Sequence, residues 1–236
     1  MRDINATIRI DIAGKSEEEV WRGVKYTRRK YVQQALKAGL YYEQANREKD
    51  LKKMYEMHMK TLVEGGTAAW TYERWKKFVK PAGNRFFYVK KDGKIAGCFA
   101  LGVVTEKFYS IHSDKNGIRP VVYASLKKYQ QFRTHDYMYW ITIKYAVDNK
   151  YDFVDLGGWQ IKARGHLQHV NKFKEEWGGN VYYYYWDYPF FTVLRRKLIR
   201  NFGIFWRINQ WFKRRLGKVG KSVHDENVIT KSKSNN

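Results

Sequence analysis

The chain has 236 residues, of which 44% are hydrophobic and 17% aromatic, and this composition excludes an intrinsically disordered protein. Its 46 Lys and Arg residues against 23 Asp and Glu give a formal net charge of +23. Such a charge favours polyanionic partners: RNA, anionic lipid or phosphorylated precursors. The single cysteine, Cys98, excludes a disulfide within the chain, and we expect a buried strand residue there, not a nucleophile.

Two further patterns bear on localisation. No apolar run reaches the length of a membrane-spanning helix, and the first residues lack the pattern of a signal peptide. We therefore expect a cytoplasmic protein, or one that is peripheral on the inner membrane face.

The first 80 residues predict one strand followed by helices. Apolar and polar residues alternate over 8–12, which indicates a strand with one buried face. Ser16 and Glu19 form a capping-box pattern, which is typical of a helix start, and we expect this helix to run to about Ala38. The other elements predicted here are a short strand at 41–42 and helices over 49–63 and 72–79.

Three consecutive basic residues, Arg28, Arg29 and Lys30, lie in the middle of the first predicted helix. A solvated helix face explains most runs of this kind. Arginine forks also match phosphate oxygens in pairs, so the same residues could clamp a substrate phosphate. Arg28 and Arg29 are therefore candidate substrate-binding residues, and both interpretations stay open.

The middle of the chain predicts a hairpin. Apolar runs over 85–90 and 95–104 flank an Asp-Gly pair that favours a tight turn. Residues 107–112 are expected to form a third strand, on which Tyr109 and His112 are candidate substrate-binding residues. Two helices are then predicted, over 120–134 and 135–150.

The stretch 151–186 has the pattern strand, glycine turn, helix, strand. In such units ligands bind outside the carboxyl end of the strand, beside the turn. Asp155, Gly157 and Gly158 lie at that end, so they are candidate site residues. The predicted elements are a strand over 153–156, a helix over 167–177 and a strand over 181–186.

These residues also resemble a known family. Asp155-Leu156-Gly157-Gly158, then Phe173-Lys174, then Gly178-Gly179 is similar to the pattern of the Fem family. Fem enzymes are aminoacyl-tRNA-dependent transferases that build peptidoglycan cross-bridges on a GNAT-like (acyltransferase) fold. Looser matches in the same order cover most of residues 8–188. Family members are usually longer, with two GNAT-like halves, and this chain resembles the second, C-terminal half.

The resemblance implies the fold and the partners. The expected fold is α/β (α+β): a GNAT-like mixed sheet flanked by helices over residues 1–188, with a C-terminal amphipathic helix. The implied donor is aminoacyl-tRNA, and the implied acceptor is an amine of a lipid-linked or nucleotide-linked cell-wall precursor. No cofactor is expected, and no metal-ligand spacing is seen in the sequence.

The resemblance also implies catalytic residues. The lysine of the family's Phe-Lys pair acts at the aminoacyl ester, so Lys174 is expected to stabilise the oxyanion, with Phe173 packed beside it. The alternative for Lys174 is one more surface lysine. Asp155 is expected to orient the incoming amine or to help take its proton, and its alternative is a purely structural cap for the glycine turn.

Two other functions stay open. One is an N-acyltransferase of the same fold that uses a coenzyme A thioester on an amino sugar. Such enzymes normally carry a Gln/Arg-x-x-Gly-x-Gly loop that cradles pyrophosphate at a helix start. No such loop follows the predicted strand over 107–112, which argues against coenzyme A. The other is a catalytically inactive half-domain that binds RNA or anionic membrane.

The C-terminal part predicts a basic amphipathic helix over 189–221. Apolar residues recur there at three or four positions, and residues 195–221 contain ten basic residues and no acidic one. This pattern is typical of a helix that binds an anionic membrane surface, and docking on the domain is the alternative. Residues 222–236 are polar and are expected to be disordered.

Overall fold

A single mixed sheet organises the protein. The computed structural model describes residues 1–83, 85–109 and 114–201. In these residues the sheet has seven strands, in the spatial order β2-β3-β4-β5-β6-β1-β7. The strands are β1 (Arg2–Asp11), β2 (Tyr41–Gln44), β3 (Phe86–Lys91), β4 (Lys94–Thr105), β5 (Asn116–Ser125), β6 (Phe153–Gly158) and β7 (Asn180–Asp187). The expected mixed sheet flanked by helices is therefore confirmed.

Helices cover both faces of the sheet. Strand β3 shows why: Phe87 and Val89 pack into one core and Phe86 and Tyr88 into the other, as the two-residue period of a strand requires. The first core includes residues of α1, α2 and α5, and the second includes residues of α3 and α4. The helices are α1 (Glu17–Gly23), α2 (Tyr26–Lys37), α3 (Arg47–Glu64), α4 (Tyr72–Val79), α5 (Thr134–Asp148), α6 (His166–Glu175) and α7 (Phe190–Asn201).

The helix predicted from Ser16 to Ala38 is broken into two. Its start is confirmed, because the Ser16 hydroxyl accepts a hydrogen bond from the Glu19 N–H at 3.2 Å within a complete capping box. Helix α1 ends at Gly23, however, and the next residue is extended. A Cβ atom at Gly178 would lie 2.5 Å from the Gly23 carbonyl oxygen. The break thus lies at a close contact with a distant part of the chain, which local spacing does not reveal.

The predicted hairpin is confirmed as β3 and β4. Asp92 and Gly93 form the turn, with φ of 49° and 71°. Cys98 lies fully buried in β4, as expected. Burial raises the pKa of its thiol to about 12, so the sulfur stays protonated and unreactive at neutral pH.

Two predictions for the middle of the chain were wrong. Residues Glu106–Tyr109 form a short 3-10 helix, not a strand. The segment from 120 to 125, predicted as the start of a helix, belongs to β5. Pro120 has no N–H to donate to the sheet. It lies opposite Leu101, where the register between β4 and β5 shifts, so the missing hydrogen bond falls at an irregular point of the ladder. The last part of that predicted helix includes the 3-10 helix Lys127–Phe132, and the helix predicted over 135–150 is confirmed as α5.

The parallel ladder between β5 and β6 is short. In the described residues it consists of two pairs, Gly117 with Phe153 and Ile118 with Val154. A Cβ atom at Gly117 would lie 2.3 Å from the Phe153 ring, so only glycine allows this approach. After these two pairs the hydrogen-bonded ladder between β5 and β6 ends, and the carboxyl end of β6 continues past that point.

Helix α7 packs against β1. Arg196 Nε and Arg200 Nη2 each lie 2.6 Å from a different carboxylate oxygen of the buried Asp3. The rest of the helix predicted over 189–221, and the tail 222–236, lie outside the described residues. Within the described part of the chain, no helix combines the length and the apolar character needed to cross a membrane.

Candidate active site

A buried carboxylate lies near the carboxyl end of β6. Asp155 is only 1% exposed, and its Oδ1 accepts hydrogen bonds from the Gly157 N–H at 2.8 Å and from the Thr7 hydroxyl of β1. Its Oδ2 accepts a hydrogen bond from the Tyr109 hydroxyl and lies 3.7 Å from Arg119 Nε of β5. Burial, together with the neighbouring carboxylate, raises the pKa of Tyr109, so the phenol remains a donor.

The bond from Asp155 to Gly157 shapes the turn that follows. A side-chain oxygen that accepts the N–H two residues on forms an Asx-type turn, and Gly157 has a φ of +82° that favours glycine. The carboxylate is thus engaged by three hydrogen-bond donors. This geometry favours the structural alternative, in which Asp155 holds the glycine turn, over a role as a proton acceptor.

Lys174 reaches the same turn from α6. Its Nζ donates a hydrogen bond to the Gly158 carbonyl oxygen at 2.9 Å. A Cβ atom at Gly157 would lie 3.6 Å from this ammonium, so the glycine turn leaves room for it. Burial lowers the pKa of Lys174 to about 8; the Asp155 carboxylate opposes that decrease, and the Arg119 guanidinium adds to it. Lys174 is therefore a fixed ammonium of reduced proton affinity.

The turn of α6 that carries Lys174 is held by aromatic packing. The Phe173 ring meets Tyr139 of α5 edge to face, with 5.0 Å between ring centroids. Trp177 stacks on the same tyrosine at 5.5 Å. Gly179 follows so close to β1 that a Cβ atom there would lie 2.6 Å from Ile8. Phe173 thus fixes this turn of α6 against α5, and with it the backbone of the neighbouring Lys174.

Arg28 of the predicted phosphate clamp has protein partners, whereas the buried Nε of Arg29 has no hydrogen-bond partner among the described residues. The guanidinium of Arg28 lies 2.6 Å from Asp136 of α5 and 2.8 Å from Glu176, and its carbon lies 4.7 Å from the centre of the Phe173 ring. These contacts tie α2 to α5 and to the end of α6, which favours a structural role for Arg28. Arg29 is partly buried next to it.

The structure thus brings together Asp155, Gly157, Gly158, Lys174 and Tyr109, with Phe173 in support. Arg28 and Arg29 lie on the far side of Phe173, and His112 lies outside the described residues. Sequence reasoning missed two residues that contact Asp155. One is Thr7, whose pairing depends on the order of strands in the sheet, and the other is Arg119, next to a segment wrongly predicted as helix.

A cavity of about 210 Å³ opens beside Gly158. It is smaller than the pockets of about 300–1,000 Å³ that hold drug-sized ligands, and it suits a group the size of one amino acid. The cavity and Lys174 have Gly158 in common, since its carbonyl oxygen accepts the hydrogen bond of the ammonium, but Lys174 itself does not line the cavity. Its walls are Ile4–Ala6 of β1, residues 158–161, Tyr184 of β7 and Arg196, Ile199 and Arg200 of α7.

The segment after β5 bears on the nature of an acyl donor. Since β5 ends at Ser125, the connection to α5 is residues 126–133, not the residues after 112. It contains no glycine, and the N-cap residue of α5, Arg133, makes no side-chain cap. A glycine-rich pyrophosphate cradle is therefore also missing here. Within the described residues, no cluster of three or more His, Cys, Asp and Glu is placed to hold a metal ion.

Comparison with known proteins gives similarity at the level of structure. No protein-family model and no curated protein sequence matches the chain. A crystal structure of FemX has a TM-score of 0.60 at 16% identity and covers 75% of this chain. The C-terminal domain of a putative lysylphosphatidylglycerol synthetase from Agrobacterium fabrum has a TM-score of 0.53 at 13% identity and covers 78%. The structure of L-PGS from Bacillus licheniformis has a TM-score of 0.52 at 13% identity and covers 85% of this chain and 67% of its own.

The first two similarities are partial. This chain spans 59% of the FemX chain and 60% of the Agrobacterium protein. At these low identities the comparison establishes the fold. Together with the seven-stranded mixed sheet flanked by helices, it shows that the chain has a Fem-like GNAT fold.

Proposed function

We propose that the chain is an acyltransferase that moves an amino acid from aminoacyl-tRNA to an amine of a cell-wall precursor, in the cytoplasm. The observation that carries the proposal is the Lys174 ammonium, held on the Gly158 carbonyl at the carboxyl end of β6. The likeness to the FemX fold and the Phe-Lys pattern support it.

The chemistry asks for stabilisation of charge. The acceptor amine attacks the ester carbonyl, and the tetrahedral intermediate carries negative charge on the former carbonyl oxygen. Its collapse expels a ribose oxygen of the tRNA, which takes up a proton, while the amine loses one. An ammonium beside the developing oxyanion is worth about 100-fold to 1,000-fold in rate.

Lys174 can meet two requirements of this reaction, a positive charge for the oxyanion and a proton for the leaving ribose oxygen. With a pKa of about 8, it is mostly protonated at neutral pH and so available to the oxyanion. The same pKa lies near the working pH, which is the condition for an efficient general acid. Lys174 can therefore give its proton to the leaving ribose oxygen and regain it from the attacking amine, which closes the proton balance.

Asp155 acts in this scheme as a positioning residue. Its carboxylate is occupied by the Thr7 and Tyr109 hydroxyls and the Gly157 N–H, so it fixes the turn whose next carbonyl holds Lys174. Its negative charge also favours the charged form of the lysine. The incoming amine must then arrive unprotonated.

The proposed partners follow from charge. A net charge of +23 attracts the tRNA donor, and a phosphorylated lipid-linked or nucleotide-linked precursor fits the same surface. Binding to tRNA should weaken steeply as salt rises, because bound counterions are released. A coenzyme A thioester is the second candidate donor; the GNAT fold favours it, and the glycine-free connection after β5 opposes it.

The decisive experiment compares donors and two lysines. The full chain is given labelled aminoacyl-tRNAs or acetyl-CoA, with lipid-linked and nucleotide-linked precursors as acceptors. We expect transfer from aminoacyl-tRNA only, reduced about 100-fold to 1,000-fold in Lys174→Ala. Lys172→Ala, an exposed neighbour on the same helix, removes the same charge and should retain near-full activity. Turnover of acetyl-CoA would establish the second candidate, and RNA binding without transfer would establish an inactive half-domain.

A further inference from the structure

Helix α7 is attached to the domain through its basic residues. Arg196 and Arg200 share the buried Asp3, Arg196 Nη2 lies 2.7 Å from Asn5 Oδ1, and Arg200 Nη1 lies 3.1 Å from the Ile4 carbonyl oxygen. Although burial alone would raise the pKa of Asp3, hydrogen bonds from the two arginines lower it, so the carboxylate is charged at neutral pH. The inner side of α7 is therefore ion-paired with β1, next to the buried apolar residue Val193.

The outer side of α7 is apolar. Phe190 is 58% exposed, Phe191 80% and Leu194 44%, and we call these three residues the outward stripe. An amphipathic helix of a globular domain normally turns its apolar side to the core. In the described part of α7, Val193 is the fully buried apolar residue, whereas the three residues of the outward stripe face solvent. The outward stripe thus places three neighbouring apolar side chains of one helix in contact with solvent.

The charges around the outward stripe indicate what covers it. Arg195 and Lys197 lie exposed on the same helix, and α7 contains no acidic residue. Trp186, 39% exposed at the end of β7, leads into the helix. Exposed aromatic side chains with basic neighbours favour the boundary between lipid headgroups and acyl chains, with anionic headgroups near the cations. A second copy of the chain would bring two charges of +23 together, so it fits less well.

We propose that the outward stripe of α7 rests on an anionic lipid bilayer, and that the arginine pairs with Asp3 hold the domain against it in one orientation. The sequence left docking and membrane binding as alternatives for this helix. In the structure one side of the helix docks, and the other side is free for lipid. The inner side also forms a wall of the cavity at Gly158, so that cavity lies about one helix diameter, roughly 10 Å, from the membrane surface.

Vesicle flotation tests the proposal on the full chain. The probes are vesicles of phosphatidylcholine alone and of phosphatidylcholine with phosphatidylglycerol. We expect binding to the anionic vesicles, with at least about a tenfold loss in Phe190→Ser/Phe191→Ser, because two aromatic side chains no longer enter the lipid. Tyr26→Ser is the matched control, since Tyr26 of α2 is 72% exposed away from α7 and should leave binding unchanged.

Three outcomes would overturn the proposal. Unchanged vesicle binding of the double variant would show that the outward stripe does not contact the lipid. An equal loss of binding in Tyr26→Ser would show that any exposed aromatic side chain contributes in the same way. A concentration-dependent dimer, seen by light scattering and lost in the double variant, would assign the stripe to a second copy. If the double variant loses its thermal transition, Leu194→Gln provides a milder change with the same expected direction. Because flotation needs no turnover, its result is separate from that of the transfer assay.

Discussion

Replacing Lys174 with methionine should stabilise the fold while it abolishes most of the activity. Burial lowers the pKa of Lys174 from 10.5 to about 8, a difference that corresponds to about 3 kcal/mol against the charged form. The side chain is only partly buried, so solvent reduces this amount. We therefore expect Lys174→Met to raise the free energy of unfolding by about 1–2 kcal/mol at pH 7, since methionine packs without a charge.

The stability difference between Lys174→Met and the wild type should depend on pH. Between about pH 8 and 10.5 the unfolded chain keeps the lysine proton and the folded chain loses it, so stability rises with pH across this window. The destabilising effect of the ammonium is fully present below about pH 8 and is absent above 10.5. The advantage of Lys174→Met should thus be constant below about pH 8 and should shrink as the pH approaches 10.5.

Urea unfolding followed by circular dichroism measures this difference. Lys172→Met is the matched control, because Lys172 is exposed two residues away, and it should change stability little. The transfer rate of Lys174→Met should fall about 100-fold to 1,000-fold. A loss of stability in Lys174→Met would refute the reasoning, since the hydrogen bond to Gly158 would then outweigh the burial of the charge.

Three further changes test the surroundings of the site. Asp155→Asn should lower the free energy of unfolding by about 1–3 kcal/mol, because the carboxylate that accepts three hydrogen bonds is lost; unchanged urea curves would contradict this. Asp3→Asn should release α7 and speed trypsin cleavage at Arg196 without removing the main thermal transition. Because the pKa of Asp3 is lowered, the same release should occur in the wild type as the pH falls below 3.8, and a near-UV circular dichroism signal that does not change over that pH range would exclude this. Gly117→Ala should destabilise the fold by about 1–3 kcal/mol, since its Cβ atom meets the Phe153 ring, and a normal melting temperature would show that the ring can move.

Local signals predicted much of the fold and part of the site. The capping box at Ser16, the turn at Gly93 and the glycine stop at Gly178 depend on neighbours a few residues away, so the sequence displays them directly. The grouping of Gly157-Gly158 with Lys174 was predicted through a family pattern, and the hydrogen bond from the ammonium to Gly158 gives that pattern a physical basis.

The failures share a cause, which is dependence on distant contacts. The segment 120–125 was wrongly predicted as the start of a helix; it belongs to β5, where Pro120 lies opposite Leu101 at a register shift that depends on the neighbouring strand β4. Thr7 and Arg119 reach Asp155 only because β5, β6 and β1 are neighbours, an order that periodicity does not encode. The orientation of α7 is set by one carboxylate, Asp3, at the other end of the sequence.

The position of β1 has a consequence for synthesis. Its neighbours in the sheet are β6 and β7, and its bonds reach across 148 residues from Thr7 to Asp155 and 193 residues from Asp3 to Arg196. At roughly 5–20 residues per second, β1 leaves the ribosome about 7–40 s before those partners exist. Throughout that time its isoleucines have no sheet to join. We therefore expect co-expressed chaperones that shield an early strand to raise the soluble yield of the chain.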